Sequence, residues 1–171
     1  QLLAVRHRYP EAVCIALTAT ATRRVQDDIA KVLGFDPSDR FIASFNRPNL
    51  YLEAHRRTKG INQILAFLEL HKGESGIIYC QTRQGVEILA EQLAHAGWNA
   101  LPYHAGMDDV TRALHQRRFS HDEVPIIVAT IAFGMGIDKS NVRFIIHATL
   151  PTNLESYYQE IGRAGRDGLR A

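Results

Sequence analysis

Cysteine is almost absent, with two residues in 171, Cys14 and Cys80, each inside an apolar run. That setting favours buried reduced thiols over a disulfide scaffold or a cysteine-ligated metal, and no other metal-ligand set stands out. No window approaches the roughly 20 apolar residues of a membrane span, and Gln1-Leu2-Leu3 is not a signal peptide, so a cytoplasmic location without membrane contact is the default expectation. Excess charge is lacking too. Lys and Arg total 20 against 18 for Asp and Glu, a net +2, so nothing global demands a nucleic-acid partner and any basic surface must be local. Internal repeats, low-complexity tracts and coiled-coil heptads are missing. The single tryptophan, Trp98, follows Gly97 with nothing to mark it as a base-stacking platform, and is expected to pack.

The remainder, 46% apolar and 22% charged, is ordinary globular material, enough for one domain and a fragment of another. Short apolar runs alternate with segments of helical period, which is the pattern of a parallel sheet with crossover helices. Strands are expected at 13–17, 50–54, 76–80, 99–103, 124–129 and 143–147. Helix faces are expected from Val25, Ile29, Val32 and Leu33, from Ile61, Ile64, Leu65 and Leu68, and from Val86, Leu89, Ala90 and Leu93. A further helix spans about 109–119, and a last one carries Leu154, Tyr157, Tyr158 and Ile161. Gly34 ends the first of these, and Thr152 with Glu155 has the spacing of a capping box before the last. Pro48 within Phe45-Asn46-Arg47-Pro48-Asn49 removes a donor and extends Arg47, making 44–49 an inter-domain linker. Residues 1–43 then form the tail of a preceding domain and 50–171 one α/β domain. The opening on Gln1 and the close directly after a motif suggest a piece of a longer protein.

In open parallel sheets ligands bind beyond the carboxyl ends of strands, and the unusual residues fall there. Gln81-Thr82-Arg83 offers either a plain helix cap or a cap whose backbone N–H groups face an anion. His104-Ala105-Gly106 places a polar ring at a strand end, structural or functional. The loop from Thr130 to Lys139, with Gly134, Gly136 and Asp138, is either a tight crossing or a contact to a phosphate backbone or a ribose. Thr18, Thr20 and Thr22 are turn and cap hydroxyls or relays of a ligand's state. Arg47, Arg56, Arg57 and Lys59 give a modest local positive excess that could meet nucleic-acid phosphates. At the end of the chain Arg163 and Arg166 lie three residues apart among Gly162, Gly165 and Gly168. They are either solvated arginines at a glycine-rich helix end or guanidinium groups held on a tight turn and aimed at a phosphate.

Taken in order, these segments resemble the later motifs of superfamily 2 helicases, specifically the RecQ family. The matching text is Leu17-Thr18-Ala19-Thr20-Ala21-Thr22, Phe45-Asn46-Arg47-Pro48-Asn49-Leu50, Gly76-Ile77-Ile78-Tyr79-Cys80 and Tyr103-His104-Ala105-Gly106. It continues through Ala129-Thr130 to Gly134-Met135-Gly136-Ile137-Asp138-Lys139, then Asn141-Val142-Arg143-Phe144-Ile145-Ile146-His147. It ends with Tyr157-Tyr158-Gln159-Glu160 and Gly162-Arg163-Ala164-Gly165-Arg166-Asp167-Gly168. The likeness covers essentially the whole chain, and the Phe-Asn-Arg-Pro-Asn and Tyr-Tyr-Gln-Glu elements favour RecQ over the DEAD-box RNA helicases.

The resemblance implies a RecA-like, three-layer αβα fold, the second lobe of a two-lobed 3′–5′ DNA helicase of repair and recombination. It implies Arg166 as arginine finger with Arg163 beside it, and Gln159, Asp138 and Gly136 near the nucleotide. Thr82, Arg83, His104 and Thr130 would contact the DNA backbone, and Thr18 and Thr20 would couple hydrolysis to unwinding. ATP with Mg²⁺ would be bound mainly by the first lobe in cis, single-stranded and forked DNA would be the partners, and zinc would belong only to a downstream module. The location implied is cytoplasmic, nucleoid-associated in a bacterium and nuclear in a eukaryote. No Gly-x-x-x-x-Gly-Lys-Ser/Thr and no Asp-Glu-x-His stretch is present, so the full-length protein is expected to hydrolyse ATP and this chain alone is not. Two other readings are a non-catalytic RecA-like adaptor and a lobe of an RNA helicase or remodelling translocase.

Overall fold

The computed structural model describes every residue except 1, 19, 20, 45, 135 and 136, and leaves out the side chains of residues 2 and 37. The chain divides into two compact units, Gln1–Asn46 and Arg47–Ala171.

In the first unit α1 (Leu2–Arg8), a helix the hydrophobic pattern does not announce, precedes α2 (Arg23–Leu33) and a 3₁₀ turn at Pro37–Asp39. Thr22 caps α2 by accepting from the Val25 N–H, and Gly34 closes it in the left-handed region at φ 69°, a conformation that costs glycine nothing. The expected strand at 13–17 does not form. Val13 and Leu17 are each 90% exposed, because a strand needs a hydrogen-bonded neighbour and the described residues of this unit supply none. Cys14 is accordingly half-buried rather than buried.

In the second unit the alternation expected from sequence builds a parallel sheet. Its strands are β1 (Ser75–Tyr79), β2 (Ala100–Tyr103), β3 (Ile126–Ala129) and β4 (Val142–His147), in the order β2-β3-β1-β4. The helices are α3 (Gly60–Leu70), α4 (Arg83–His95), α5 (Asp109–Ser120) and α6 (Leu154–Ile161). Strand side chains alternate between two cores. Ile78, Ile126, Val128 and Phe144 pack on α3 and α4 through Leu68, Val86 and Leu93. Ile77, Tyr79, Ile127 and Ala129 pack on the opposite face with Phe119 of α5 and with Phe133 and Ile137 of the β3–β4 crossing. Helical material on both faces makes the α/β, RecA-like three-layer arrangement.

Two local features depart from the sequence expectation. Residues 50–54 form no strand: Leu50 packs against the second core while its N–H closes a turn onto the Arg47 carbonyl at 3.0 Å, and the flanking backbone pairs with Ala171, through Tyr51 N–H to Ala171 O at 2.8 Å and Ala171 N–H to Asn49 O at 3.0 Å. Two bonds to one residue do not make a ladder. The α6 cap is Asn153, which accepts from the Ser156 N–H at 2.8 Å; the Asn amide takes the place assigned to Thr152. Arg47 and Asn49, within the expected linker, are bonded into the second unit, Arg47 to the carbonyls of Ala164 and Gly165.

The amino-terminal edge of the sheet is tied by Asp122, whose backbone adopts φ 60°. Its Oδ1 accepts from Lys139 Nζ at 2.5 Å, Asn141 Nδ2 at 3.1 Å and Ser75 Oγ at 3.4 Å. The Lys139 side chain is 1% exposed and lies 5.0 Å over the Phe119 ring, a cation over an aromatic face. One carboxylate thus anchors the end of the crossing from β3 to β4.

Candidate functional site

At the carboxyl edge of the sheet Tyr79, Tyr103, Ala129 and His147 stand level, since Tyr79 pairs with Ala129 and His147, and Tyr103 with Ala129. The chain leaves β1 towards β2 on one side and leaves β3 towards β4 on the other. Their loops therefore part between adjacent strands, where open sheets make a crevice. A cleft of about 530 Å³ lies there, lined by Gln81 and Arg83 after β1, Thr130 and Ile131 after β3, and Gln159, Glu160 and Arg163 from the end of α6. Arg83, Thr130, Gln159 and Arg163, drawn from separate motifs, thus share one cleft.

Each element presents its residue for a local reason. Thr82 caps α4 by accepting from the Gly85 N–H at 3.0 Å, so its oxygen is engaged while Arg83 opens the helix into the cleft. The Arg83 side chain lies over Gly106, where an added Cβ would stand 3.0 Å from its Nη1. His104 is buried and held at both ring nitrogens. Nδ1 accepts from the Gly106 N–H at 3.1 Å, which leaves the proton on Nε2 to donate to Glu87 at 2.6 Å. In this geometry His104 shapes the loop beneath Arg83 and presents no free nitrogen to a ligand.

The two arginines sit on the glycine-punctuated turn after α6, with Gly165 at φ 57° and Gly168 at φ 82°. Arg163 donates through Nη1 to the Gly134 carbonyl, and Arg166 through Nη1 to the Ile137 carbonyl at 2.9 Å. Both guanidinium groups therefore grip the crossing loop. Arg163 Nε is buried without a hydrogen-bond partner, an orphan donor of the kind an anion satisfies. Arg166 is exposed and retains donors beyond the one that Ile137 uses. On the far side of the turn Asp167 receives Arg143 Nη2 at 2.5 Å, and Arg143 Nη1 donates to the Arg170 carbonyl at 3.1 Å. The Arg143 guanidinium holds the Asp167 carboxyl below its usual range.

Sequence reasoning missed the polar layer beneath the cleft. Glu160 is buried and bonded to His147 Nε2 at 2.6 Å. His147 stacks on Tyr79 at 5.8 Å, and the Tyr79 hydroxyl donates to the Phe133 carbonyl at 3.1 Å. Burial pushes the Tyr79 phenol up to about 12, opposed by the nearby charge of Arg163. Burial likewise raises the Cys80 thiol to about 11, which keeps it protonated and unreactive. The available signal was Glu160 on the same helix side as Tyr157 and Ile161, a charge where the period calls for an apolar residue.

Other expected site residues lie apart. Asp138 is exposed on the crossing loop and Thr18 is exposed in the first unit; neither lines the cleft. Gly136 and Thr20 fall outside the described residues. Among the described residues no group of three His, Cys, Asp or Glu side chains could hold a metal ion, and no helix is long and apolar enough to cross a membrane.

Comparison with known proteins gives a consistent result. The model of the helicase conserved C-terminal domain family matches residues 59–168. The ATP-dependent DNA helicase RecQ of Haemophilus influenzae is 48% identical over 171 residues, all of this chain and 28% of that protein. The RecQ helicase of Bacillus subtilis is 43% identical over 96% of this chain and 28% of its own length. The ATP-dependent DNA helicase Q1 of Pongo abelii is 42% identical over 98% of this chain and 26% of its own. The chain thus spans little more than a quarter of these relatives.

Proposed function

The chain belongs to the helicase conserved C-terminal domain family, in its RecQ branch, and from that premise we propose that it is the second motor lobe of an ATP-dependent 3′–5′ DNA helicase. The observation that carries this reading is the arginine turn: Arg163 with a buried, unpartnered Nε, and Arg166 exposed beside it on the same loop. ATP is the substrate, held mainly by a first lobe in cis. Arg166 exchanges its Ile137 carbonyl for the γ-phosphate and stabilises the charge that develops as the phosphoryl group transfers. Arg163 satisfies its orphan donor on the same triphosphate with Gln159 nearby, and Asp138, which lies off the cleft here, and Gly136 would reach the nucleotide from the crossing loop. Magnesium accompanies the nucleotide and takes no ligand cluster from the described residues.

Nucleic acid occupies the neighbouring edge. Arg83 and Thr130 meet the backbone of single-stranded or forked DNA, assisted by the amino-terminal N–H groups of α4 that Thr82 leaves free. His104 acts through the loop it holds. Hydrolysis reaches the DNA track through the crossing loop, which both arginines grip, and through Thr18 and Thr20 of the first unit. The protein works in repair and recombination wherever its DNA lies, in the cytoplasm of a bacterium or the nucleus of a eukaryote.

This chain alone does not turn over ATP, because the arginine has no nucleotide site of its own to complete. The test is Arg166→Ala in the full-length protein, with DNA-stimulated hydrolysis as readout. We expect kcat to fall by about three to five orders of magnitude with nucleotide binding largely kept; an unchanged kcat would remove Arg166 from the mechanism. Activity of the isolated chain would reveal a nucleotide site of its own and refute the second-lobe reading.

A further inference from the structure

The residues that hold the arginine turn in place come from the far end of the unit. Arg47 Nη2 donates to the Ala164 carbonyl at 3.0 Å and to the Gly165 carbonyl at 2.8 Å. Its Nε donates to Asn49 Oδ1 at 3.3 Å, which orients the amide. Asn49 Nδ2 then donates to the Gly165 carbonyl at 2.9 Å and the Leu169 carbonyl at 2.9 Å. The backbone completes the clasp, since Asn49 O accepts from the Ala171 N–H at 3.0 Å and the Tyr51 N–H donates to Ala171 O at 2.8 Å. These bonds bracket Arg166 on both sides, at 164–165 and at 169–171.

The chemistry explains the choice of residues. Carbonyls just past a helix end carry partial negative charge and lack intrahelical donors. A planar guanidinium can serve two of them through one nitrogen while a second, Nε, aligns a neighbour. Pro48 fixes the spacing between the two clasping side chains with a backbone that has little freedom to lose. Gly165 makes room, since a Cβ there would stand 2.5 Å from Asn49 Nδ2 and 2.8 Å from the Leu169 carbonyl.

From this geometry we infer that Arg47 and Asn49 are positioning residues of the arginine turn, setting where Arg163 and Arg166 stand without touching nucleotide or DNA. Arg47 is also the residue at which the chain arriving from the first unit enters the second. The connection between the units is therefore fastened to the turn that carries the arginines, and a pull on that connection is delivered to the carbonyls on either side of Arg166. The local positive charge that sequence offers to nucleic acid is, at Arg47, spent on carbonyls of this chain.

The inference rests on the proposed role of Arg166, and the test separates the two. In the full-length protein, Arg47→Ala, Arg47→Lys, Asn49→Ala, Arg166→Ala and the double variant Arg47→Ala/Arg166→Ala are compared. The readouts are DNA-stimulated ATP hydrolysis, KM for ATP and single-strand affinity. Arg47→Ala is expected to lower kcat about 100-fold, as a displacement of about 1 Å does for a catalytic group, with DNA affinity unchanged. Arg47→Lys recovers part of the loss, because an ammonium keeps the charge and lacks the second arm to Asn49. The double variant is expected to be no slower than Arg166→Ala alone, the mark of a residue that acts through another. Should Arg47→Ala lower stability, Asn49→Ala, which leaves Arg47 in place, carries the same expectation in smaller degree. If Arg166→Ala is inactive while Arg47→Ala and Asn49→Ala keep kcat within about twofold of the parent, the clasp has no positioning role. A double variant much slower than Arg166→Ala also overturns it. An active Arg166→Ala overturns the proposed function and the clasp's purpose with it.

Discussion

Removing the Asp122 carboxylate should be among the most damaging single changes on the exposed surface of the second unit. Lys139 is the reason: its ammonium is 1% exposed and finds its counter-charge in Asp122. Stripping one partner from a buried pair costs about 3–5 kcal/mol. The Asp122 side chain is itself 58% exposed, so water can reach the stranded ammonium from that side. With that screening, and with the Phe119 face still beneath the cation, the loss should fall to about 2–3 kcal/mol for Asp122→Ala. The backbone permits a finer test, because Asp122 stands at φ 60°, where alanine is strained by roughly 1 kcal/mol and glycine is not. Asp122→Gly, which deletes the same carboxylate without the strain, should therefore be about 1 kcal/mol less harmful than Asp122→Ala. Asp122→Asn keeps an acceptor for Lys139 and tolerates the left-handed region, and should be the mildest of the three. Urea denaturation of the purified chain followed by circular dichroism gives the ranking. Equal stability of Asp122→Ala and the parent would refute the anchoring role, and a glycine variant less stable than the alanine one would refute the strain argument.

Gly76→Ala would drive a methyl into the Phe144 ring and should cost about 3 kcal/mol or more in the same denaturation experiment; pairing it with Phe144→Leu should recover a measurable part, and strict additivity would show that the ring is not what the glycine accommodates. Asp122 and Asp167 both have carboxyls held below their ordinary value of 3.8, the first by Lys139 and the second by Arg143. The stability they contribute is thus present above that value and is lost as pH falls through the lower, folded-state value. The melting temperature should be level with respect to these two groups at mildly acidic pH and drop below about pH 4, and Arg143→Ala should make the drop shallower; an identical acid profile in that variant would exclude the Arg143–Asp167 pair as a contributor.

Where sequence and structure agree, the agreement has a local cause. Strands β1 and β3 are short apolar runs because both of their faces are covered, and helix α4 declares itself because Val86, Leu89, Ala90 and Leu93 line one face. The disagreements arise where the deciding partner is distant. Residues 13–17 have the composition of a buried strand, yet no amount of local pattern can supply the neighbour a ladder requires. Glu160 and His147, or Asp122 and Lys139, are unremarkable charges in the sequence until folding brings them within 2.6 Å or less of each other. Glycines were a better guide. The run at 162, 165 and 168 marked the turn that carries Arg163 and Arg166, although nothing in it disclosed that Arg47 and Asn49 would be its fastening.

Arg163 and Arg166 hold the crossing loop by main-chain oxygens alone, those of Gly134 and Ile137. Such a grip is acutely sensitive to length, and at Gly134, where a Cβ would run into the Arg163 guanidinium, to side-chain size as well. Adding or removing a single residue between the two carbonyls would put them out of step with arginines that lie three residues apart on one turn. Across related chains the count from 134 to 137 should therefore be held, and glycine kept where the Arg163 guanidinium rests, a ruler whose markings are set from outside it.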